Sequence, residues 1–489
     1  MKNCFFWAAL ALLAATLLSN AGILHAPLLP QVGAPVKLVM EHGTCDAWEI
    51  LDADGNIVNR LSAEEAWIPQ ETGFYTLRAM RDGAVAEELP KVPVVWRELR
   101  IFTWTDPQYC RYVGTDVFFQ KGISGTPDSW RKRGSRVLGT LSLRPGHLFG
   151  KSDEEVVEWL IERARAIKAD GFDGFGIDEL GVYPDAQGVN FVRQCTAAFT
   201  AIAKEMPEMA VINWTGGPLL REEMQTARDA RHLFMAEFYP EFATSYFGAH
   251  HFGERLRVWI DKLRNQDALC DYTADLGAII ALGVGGVCGV AEPAIVEERI
   301  RIYKRLAPEA PGICYYFGNT EGADAREYSA FLDRMTERYF LNPVVSLVAE
   351  DLMVPGEPTA GQPCQVTVMV HNFGGMKAKN VAVELLCQTP DGGQQLVASR
   401  ELPEIGNGLL RLNLPPFDST QYRHTLNGTE YPMTVDAGRK QKVVFTDRAL
   451  LDMAWCPAQR GWHKLIARIA PGGNYTGLDT CAEKMVVVK

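Results

Sequence analysis

The stretch from Ser152 to Leu180 constrains the fold more than any other part of the 489-residue chain. Val156, Val157, Leu160, Ile161, Ala164 and Ile167 recur at the spacing of one helix face. Asp170-Gly171 then supplies a helix stop. The short apolar run that follows, Phe172-Asp173-Gly174-Phe175-Gly176-Ile177, ends in two adjacent acids, Asp178 and Glu179. Helix, glycine stop, strand and acidic tip make one unit of a parallel β/α fold. In barrels of that kind the C-terminal strand ends carry the chemistry. A buried strand accepts acids only where they are paired or at work. Asp178 and Glu179 therefore read as the floor of a candidate active site.

The same alternation runs through residues 99–340. Strands are expected at 99–103, 117–119, 137–142, 174–178, 210–213, 233–237, 278–282 and 312–316. Helices are expected at 154–169, 190–206, 219–229, 254–266, 295–306 and 326–339. Eight strands in about 240 residues match the size of an eightfold barrel. No internal repeat of fixed period is visible.

The flanks have a different texture. Residues 27–96 read as a small β module: Val36 to Met40 is strand-like, and Asp52-Ala53-Asp54-Gly55-Asn56 is a turn cluster. Residues 72–79 alternate large and polar side chains and then meet Arg81-Asp82-Gly83, a hairpin signal. This module resembles the immunoglobulin-like domains that often precede secreted hydrolase domains. After Asn342-Pro343, the prolines at 355, 358 and 363 and the glycines at 356 and 361 mark turns. Strands at 366–370 and 381–385 surround Asn372-Phe373-Gly374-Gly375, and strands at 462–469 and 484–488 close the chain. The phrase from Thr359 to Leu385, with Gly461-Trp462-His463, resembles the bacterial cell-adhesion-related domain (CARDB), an immunoglobulin-like sandwich. That resemblance implies a spacer or a cell-surface or protein contact for 342–489, without catalysis. The expected fold is thus multidomain: a (β/α)8 TIM barrel at 97–341 between all-β immunoglobulin-like sandwiches at 27–96 and 342–489.

Composition limits the partners. Apolar residues make up 47% of the chain and charged residues 22%, which is ordinary for a protein with large cores. A net charge of -11 without a basic run excludes nucleic acid, whose phosphates demand a Lys/Arg patch. It also excludes an anionic membrane surface. Lys2, followed by an apolar stretch from Cys4 to Leu18, reads as a secretory signal over 1–21, too short and wrongly flanked to span a bilayer. Cleavage is expected after Ala21, with Ala26 as the other site and an uncleaved anchor as the competing reading. The expected location is therefore secreted or periplasmic in a bacterium, with no stable membrane insertion once the signal is removed. Ten cysteines remain after the signal, with no CxxC and no zinc spacing. Cys364 with Cys387, and Cys456 with Cys481, are the candidate disulfides of an oxidising compartment. Cys195, Cys270, Cys288 and Cys314 read as buried thiols.

The expected strand ends carry a coherent set of side chains. The first leads into Trp104-Thr105-Asp106, the fourth into Asp178-Glu179, and the fifth into Asn213-Trp214. The sixth leads into Glu237-Phe238-Tyr239, and the eighth into Tyr316-Phe317-Gly318-Asn319. Carboxylates with Trp, Tyr and Asn on one rim describe a sugar site: aromatic faces stack on pyranose rings while acids and amides bond the hydroxyls. Glycoside hydrolysis needs one carboxyl as acid and a second as nucleophile or base. Asp178 is assigned nucleophile or orienting base, and Glu237 acid/base with Glu179 as its rival. Trp104, Asp106, Asn213, Trp214, Tyr239, Tyr316 and Asn319 are assigned to an oligo- or polysaccharide substrate. The competing structural reading has Asp178 capping the next turn or pairing with Arg144 or Arg193, and Glu237 as an ion-pair partner. No metal and no cofactor are expected. His250-His251 lacks a carboxylate at ligand spacing, and Gly283-Val284-Gly285-Gly286 lacks the lysine of a phosphate cradle. No GxSxG elbow occurs.

Three family resemblances converge on the fourth strand. Phe172-Asp173-Gly174-Phe175-Gly176-Ile177-Asp178 looks like the strand-four motif of the alpha-amylase family, whose final Asp is the nucleophile and which carries Arg at the place of Gly176. The adjacent Asp178-Glu179 resembles the β-hexosaminidases, in which the Asp orients the substrate's acetamido group and the Glu is the acid. Asp178 with Glu237 is similar to the alpha-galactosidase and alpha-glucosidase clan, which pairs a strand-four nucleophile with a strand-six acid. Together they imply a glycoside-hydrolase-like barrel without a single family: a secreted carbohydrate-active hydrolase cleaving O-glycosidic bonds with paired carboxylates. The alternative is a non-catalytic glycan-binding or adhesion protein on the same scaffold.

Overall fold

The computed structural model of the chain describes residues 22–103, 109–119, 127–142, 151–180, 188–215, 233–238, 252–254, 256–258, 278–283, 285–286, 289–290, 292–308, 310, 312–316, 325–406, 409–413, 423–426, 429–432, 441–445 and 448–489. Asp178, Glu179, Asn213 and Glu237 are described by their backbone alone. Trp104, Asp106, Tyr239, Asn319, the signal segment 1–21 and the helix expected at 219–229 lie outside the described residues, as does most of 254–266. The protein is multidomain and mostly sheet. It divides into two compact units, Met1–Leu341 and Asn342–Lys489.

The first unit opens with an antiparallel pair, β1 (Ile23–Ala26) and β2 (Lys37–Met40). A four-stranded antiparallel sheet follows: β3 (Ala47–Leu51), β4 (Ile57–Ser62), β5 (Gly73–Arg81) and β6 (Ala84–Val94), in the order β4-β3-β5-β6. Asp82 and Gly83 turn β5 into β6 with φ of 52° and 76°. Two successive left-handed residues give the twist that a two-residue hairpin requires. Alternate residues of the sheet, Trp48, Ile50, Leu77 and Ala79, close a core with Val36, Leu38 and Trp67.

Next come β7 (Arg100–Thr103), β8 (Asp116–Phe119), α1 (Pro127–Lys132), β9 (Arg136–Ser142), α2 (Asp153–Ala169), β10 (Gly174–Leu180), α3 (Gly188–Glu205), β11 (Ala210–Thr215), β12 (Leu233–Phe238) and β13 (Ala278–Gly283). A two-residue hairpin, β14 (Gly285–Gly286) with β15 (Gly289–Val290), precedes α4 (Pro293–Leu306), β16 (Gly312–Tyr316) and α5 (Ala325–Thr336). Eight strands pair in the order β10-β11-β12-β13-β16-β7-β8-β9 and close back onto β10, every pair parallel. Parallel strands buried on both faces explain the near-continuous apolar runs of the sequence.

The two faces of the ring hold separate cores. Phe102, Phe118, Leu138, Ile212, Trp214, Leu233, Met235 and Cys314 fill the inside. Leu141, Phe175, Ile177 and Val211 face outward onto Val156, Leu160 and Ala164 of α2 and Ala198, Phe199 and Ile202 of α3. The helical face expected from sequence is thus the face α2 buries. α2 starts in a capping box: the Ser152 hydroxyl accepts the Glu155 N–H, and the Glu155 carboxylate accepts the Ser152 N–H. Gly176 lies on the inner side of β10, where a Cβ would overlap the Phe118 ring. The arginine of the amylase-like motif has no room there.

The second unit contains β17 (Val344–Ser346), β18 (Leu352–Met353), β19 (Cys364–Asn372), β20 (Ala378–Gln388), β21 (Gln394–Ile405), β22 (Leu409–Asn413), β23 (Arg423–Leu426), β24 (Thr429–Pro432), β25 (Gln441–Phe445), β26 (Arg448–Trp455), β27 (Gly461–Ile469), β28 (Thr476–Asp479) and β29 (Cys481–Val488). One sheet joins β18, β19, β17 and β28 with β26 on β19; the other runs β21-β20-β27-β29. β22 pairs with β25, and β23 with β24. Residues from the two larger sheets share a single core around Val366, Val368, Val383, Leu385, Trp455 and Leu465. The Asn372-Phe373-Gly374-Gly375 turn has a clear physical basis. The buried Asn372 side chain accepts the N–H groups of Val344 and Gly374 and donates to the carbonyls of Met376 and Gly406.

Cys364, Cys387, Cys456 and Cys481 are all free thiols, so neither expected disulfide is formed. Cys387 is buried in the core, and Cys481 is exposed beside Glu483, Lys464 and Arg468. Cys314 is the buried ring thiol that its apolar context predicts, whereas Cys195, Cys270 and Cys288 have no described side chain. Among the described residues, no helix is long and apolar enough to cross a membrane.

Candidate active site at the strand ends

The inner core of the ring contains an aromatic cluster. Phe102 and Phe118 stack with centroids 5.8 Å apart. Phe118 meets Trp214 edge-on at 6.0 Å and 77°, and Trp214 meets Tyr316 edge-on at 6.1 Å and 69°. Edge-to-face geometry sets the positive rim of one ring against the negative face of the next. Trp214 is only 2% exposed, while Tyr316 is half-buried. The indole is therefore part of the floor, and Tyr316 is the described aromatic that keeps an open surface.

The ladder between β10 and β11 is irregular at one place. Ile177 pairs with Asn213, and Leu180 pairs with Thr215. Asp178 and Glu179 together thus oppose the single residue Trp214, which is a β-bulge. On its other side β10 stays regular, and Asp178 pairs with Ser142 of β9. Bulges concentrate at barrel rims and beside active sites because they re-aim a side chain. Nothing in the sequence signals this one, since a bulge is a property of two strands and not of one.

Ring order places the other acid. β11 lies between β10 and β12, so Trp214 stands between the strand that bears Asp178-Glu179 and the strand that bears Glu237. Glu237 pairs with Ala281 of β13 and follows by two residues Met235, a member of the inner core. Asp178 likewise follows Gly176 by two residues. Asn213 alternates with Trp214 and shares the strand parity of the outward Val211. Of the ten residues assigned from sequence, the structure brings Trp214 and Tyr316 into direct contact. It sets Asp178, Glu179, Asn213 and Glu237 on the adjoining strand ends by backbone position. Trp104, Asp106, Tyr239 and Asn319 lie outside the described residues. Phe118 is a member of the floor that sequence reading missed; its only signal is its position in the second strand.

Among the described residues, no group of three or more His, Cys, Asp or Glu side chains is placed to hold a metal.

No family model matches the chain, and no curated protein matches it. Solved structures do show distant likeness. The CARDB domain of the PF1109 protein from Pyrococcus furiosus is 14% identical, covering 31% of this chain and 91% of its own, with a TM-score of 0.20. An FMN-binding beta-glucuronidase from Facaelibacterium prausnitzii L2-6 is 10% identical, covering 96% of this chain and 74% of its own, with a TM-score of 0.33. A putative beta-galactosidase from Bacteroides fragilis is 12% identical over 96% of this chain and 73% of its own, with a TM-score of 0.31. Likenesses at these scores assign neither a family nor an activity.

Proposed function

We propose that this chain is a secreted hydrolase that cleaves O-glycosidic bonds in an oligo- or polysaccharide with paired carboxylates. One observation carries the reading: two consecutive acids, Asp178 and Glu179, bulge out of a parallel strand end opposite Trp214. Glu237 ends the next strand but one in the ring. Neighbouring strands lie about 4.8 Å apart, which sets the two strand ends about 10 Å apart across β11. Side chains reaching inward over that span would bring their carboxyls within the roughly 5–9.5 Å over which glycosidase acids cooperate. The aromatic floor supports the same reading, because sugar rings present apolar faces to aromatic surfaces.

In this proposal Asp178 is nucleophile or orienting base, Glu237 is acid/base, and Glu179 competes for the acid role. Trp104, Asp106, Tyr239, Tyr316 and Asn319 contact substrate, while Trp214 supports them from below and Asn213, on the outward parity of β11, is given no contact. The ring is proposed to be the (β/α)8 barrel of residues 97–341, between immunoglobulin-like modules at 27–96 and 342–489, the latter CARDB-like. Residues 1–21 are proposed to direct export and to be removed after Ala21. Terminal sequencing of the exported protein should begin at Gly22; a retained Met1 would refute that assignment.

The activity is tested with the full chain on a panel of polysaccharides and aryl glycosides, with products identified by mass spectrometry. Asp178→Asn and Glu237→Gln should each lower turnover by about a thousandfold or more, since acid/base and covalent assistance contribute that much. Wild-type turnover in Asp178→Asn would remove that residue from the chemistry. Saturable glycan binding without product on any substrate would replace hydrolysis with the binding reading.

A further inference from the structure

The thiols of the second unit offer an inference independent of the hydrolase reading. β19 and β26 pair antiparallel in regular register from His371 opposite Arg448 to Cys364 opposite Trp455. Continued without change, that register would set Pro457 opposite Gln362. The backbone bond instead runs from the Gly361 N–H to the Pro457 carbonyl, at 2.7 Å. The ladder therefore ends at Cys364 and Trp455, and the β19 side enters a turn in which the Gln362 N–H bonds the Thr359 carbonyl. Cys456 lies just past the end of β26, one step beyond the residue opposite Cys364. Opposed Cα atoms in such a ladder are about 4.5–5.5 Å apart; because the strand ends at Trp455, its alternation of faces does not bind Cys456, whose Cα one step on falls within the roughly 4.4–6.8 Å that a disulfide spans.

The thiols also interact electrostatically. Burial first, and then the charge on Cys456, pushes the Cys364 thiol up. Cys456 is exposed, whereas Cys364 is half-buried against the rim of the core. Of the other thiols in this unit, Cys387 is buried in the core that also holds Trp455, and Cys481 is surrounded by Glu483, Lys464 and Arg468.

We propose that Cys364 and Cys456 are a redox pair that closes to a disulfide when a small disulfide oxidant such as oxidised glutathione is present. The exposed Cys456 thiolate attacks one sulfur of oxidised glutathione and expels one glutathione thiolate, leaving a mixed disulfide. The Cys364 thiolate then attacks the Cys456 sulfur and expels the second. The two protein thiols lose two protons and two electrons, and one glutathione disulfide becomes two thiols. The new bond ties β19 to the end of β26 and encloses the chain between them, which restricts the unfolded state.

The full chain, reduced and then equilibrated in glutathione buffers of increasing oxidised fraction, tests this. Acid quenching, alkylation with N-ethylmaleimide and peptide mapping should show a Cys364–Cys456 linked peptide and two fewer alkylated thiols. The melting midpoint should rise by several degrees on oxidation, and Cys456→Ser should abolish the rise. Cys364→Ser should hold glutathione on Cys456 without a link. If Cys364→Ser fails to fold, the Cys456→Ser comparison and the wild-type map still decide. A wild-type map that ends at a Cys456–glutathione adduct overturns the proposal. So does a link to Cys387 or Cys481, or a Cys364 still alkylated in excess oxidant.

Discussion

The ring holds carboxylates at both ends, and it holds them differently. At the N-terminal strand ends Asp116 is fully buried, yet every oxygen has a partner. Arg100 grips it with two bonds of 2.8 and 2.7 Å, Arg136 approaches to 2.9 Å, and the Thr115 hydroxyl donates at 2.9 Å. Glu98 takes the free side of Arg136 at 2.7 Å. Burial alone would raise the Asp116 pKa, but the two guanidiniums outweigh it and hold the carboxyl below its ordinary value. At the C-terminal ends, Asp178 and Glu179 form a backbone bulge opposite Trp214, whose ring packs on Phe118 and Tyr316. The acid clamped by arginines is a structural one, whereas Asp178 and Glu179 are the pair to which the proposed function assigns chemistry.

The contrast breaks most visibly by removing one acid from each end. Asp116→Ala removes the buried partner of Arg100, whose side chain is 13% exposed, and breaking a buried pair costs about 3–5 kcal/mol, while the more exposed Arg136 keeps Glu98. Denaturant unfolding should show that drop, with turnover per folded molecule retained. Asp178→Asn should change stability by less than about 0.5 kcal/mol while turnover disappears. A destabilisation of Asp178→Asn as large as that of Asp116→Ala would mean both ends are structural.

Gly176 sharpens the comparison because it couples the core of the ring to the upper end. An alanine methyl would overlap the Phe118 ring, and Phe118 supports Trp214. Overpacking of this kind costs about 1–3 kcal/mol. Gly176→Ala should therefore lower the melting midpoint and raise KM together, as neither acid substitution does. A raised midpoint with unchanged KM would show that the floor has slack.

The lower end also contains an acid that titrates in the opposite sense from Asp116. Asp333 of α5 accepts the N–H groups of Arg111 and Tyr112, at 2.6 and 2.8 Å, just before β8. Burial outweighs those bonds and pushes its carboxyl up to about 6. With a folded pKa above the unfolded value of about 3.9, its contribution is complete below about pH 4 and is lost as pH rises through about 6. Asp116 does the reverse, contributing above its unfolded pKa and failing on acidification. Between pH 4 and pH 7 the stability of the wild type should therefore fall by about 2 kcal/mol relative to Asp333→Asn. Parallel stability curves would show that Asp333 ionises normally.

Much of the ring is legible in the chain, for a physical reason. Strands buried on both faces read as continuous apolar runs, and Gly312–Tyr316 is found where its residues predict. β10 runs two residues beyond the expected Asp178, to Leu180, because the bulge absorbs both acids without ending the ladder. β21 is not legible at all: most of its twelve residues are exposed, so no apolar period marks it. Residue type alone also cannot separate a floor from a platform. Trp214 and Tyr316 look alike in sequence, yet only Tyr316 keeps open surface, because Phe118 and Tyr316 both close on the indole. The thiol pairing fails for a similar reason: spacing matches Cys364 with Cys387, but β19 and β20 lie in different sheets, and the residue that the ladder sets opposite Cys364 is Trp455.

The smallest effect tests whether α2 serves the site or only the core. Ser152 and Glu155 satisfy each other's backbone N–H at its first turn, and loss of such a cap costs about 1 kcal/mol. α2 packs on the outer side of β10 through Val156, Leu160 and Ala164, whereas the acids stand at the strand end beyond that contact. Ser152→Ala should therefore lower the melting midpoint by a few degrees and leave kcat and KM unchanged. If turnover falls with stability, the position of the bulge depends on the helix behind it. The upper end would then be as much a product of outer packing as the lower end is of its arginines.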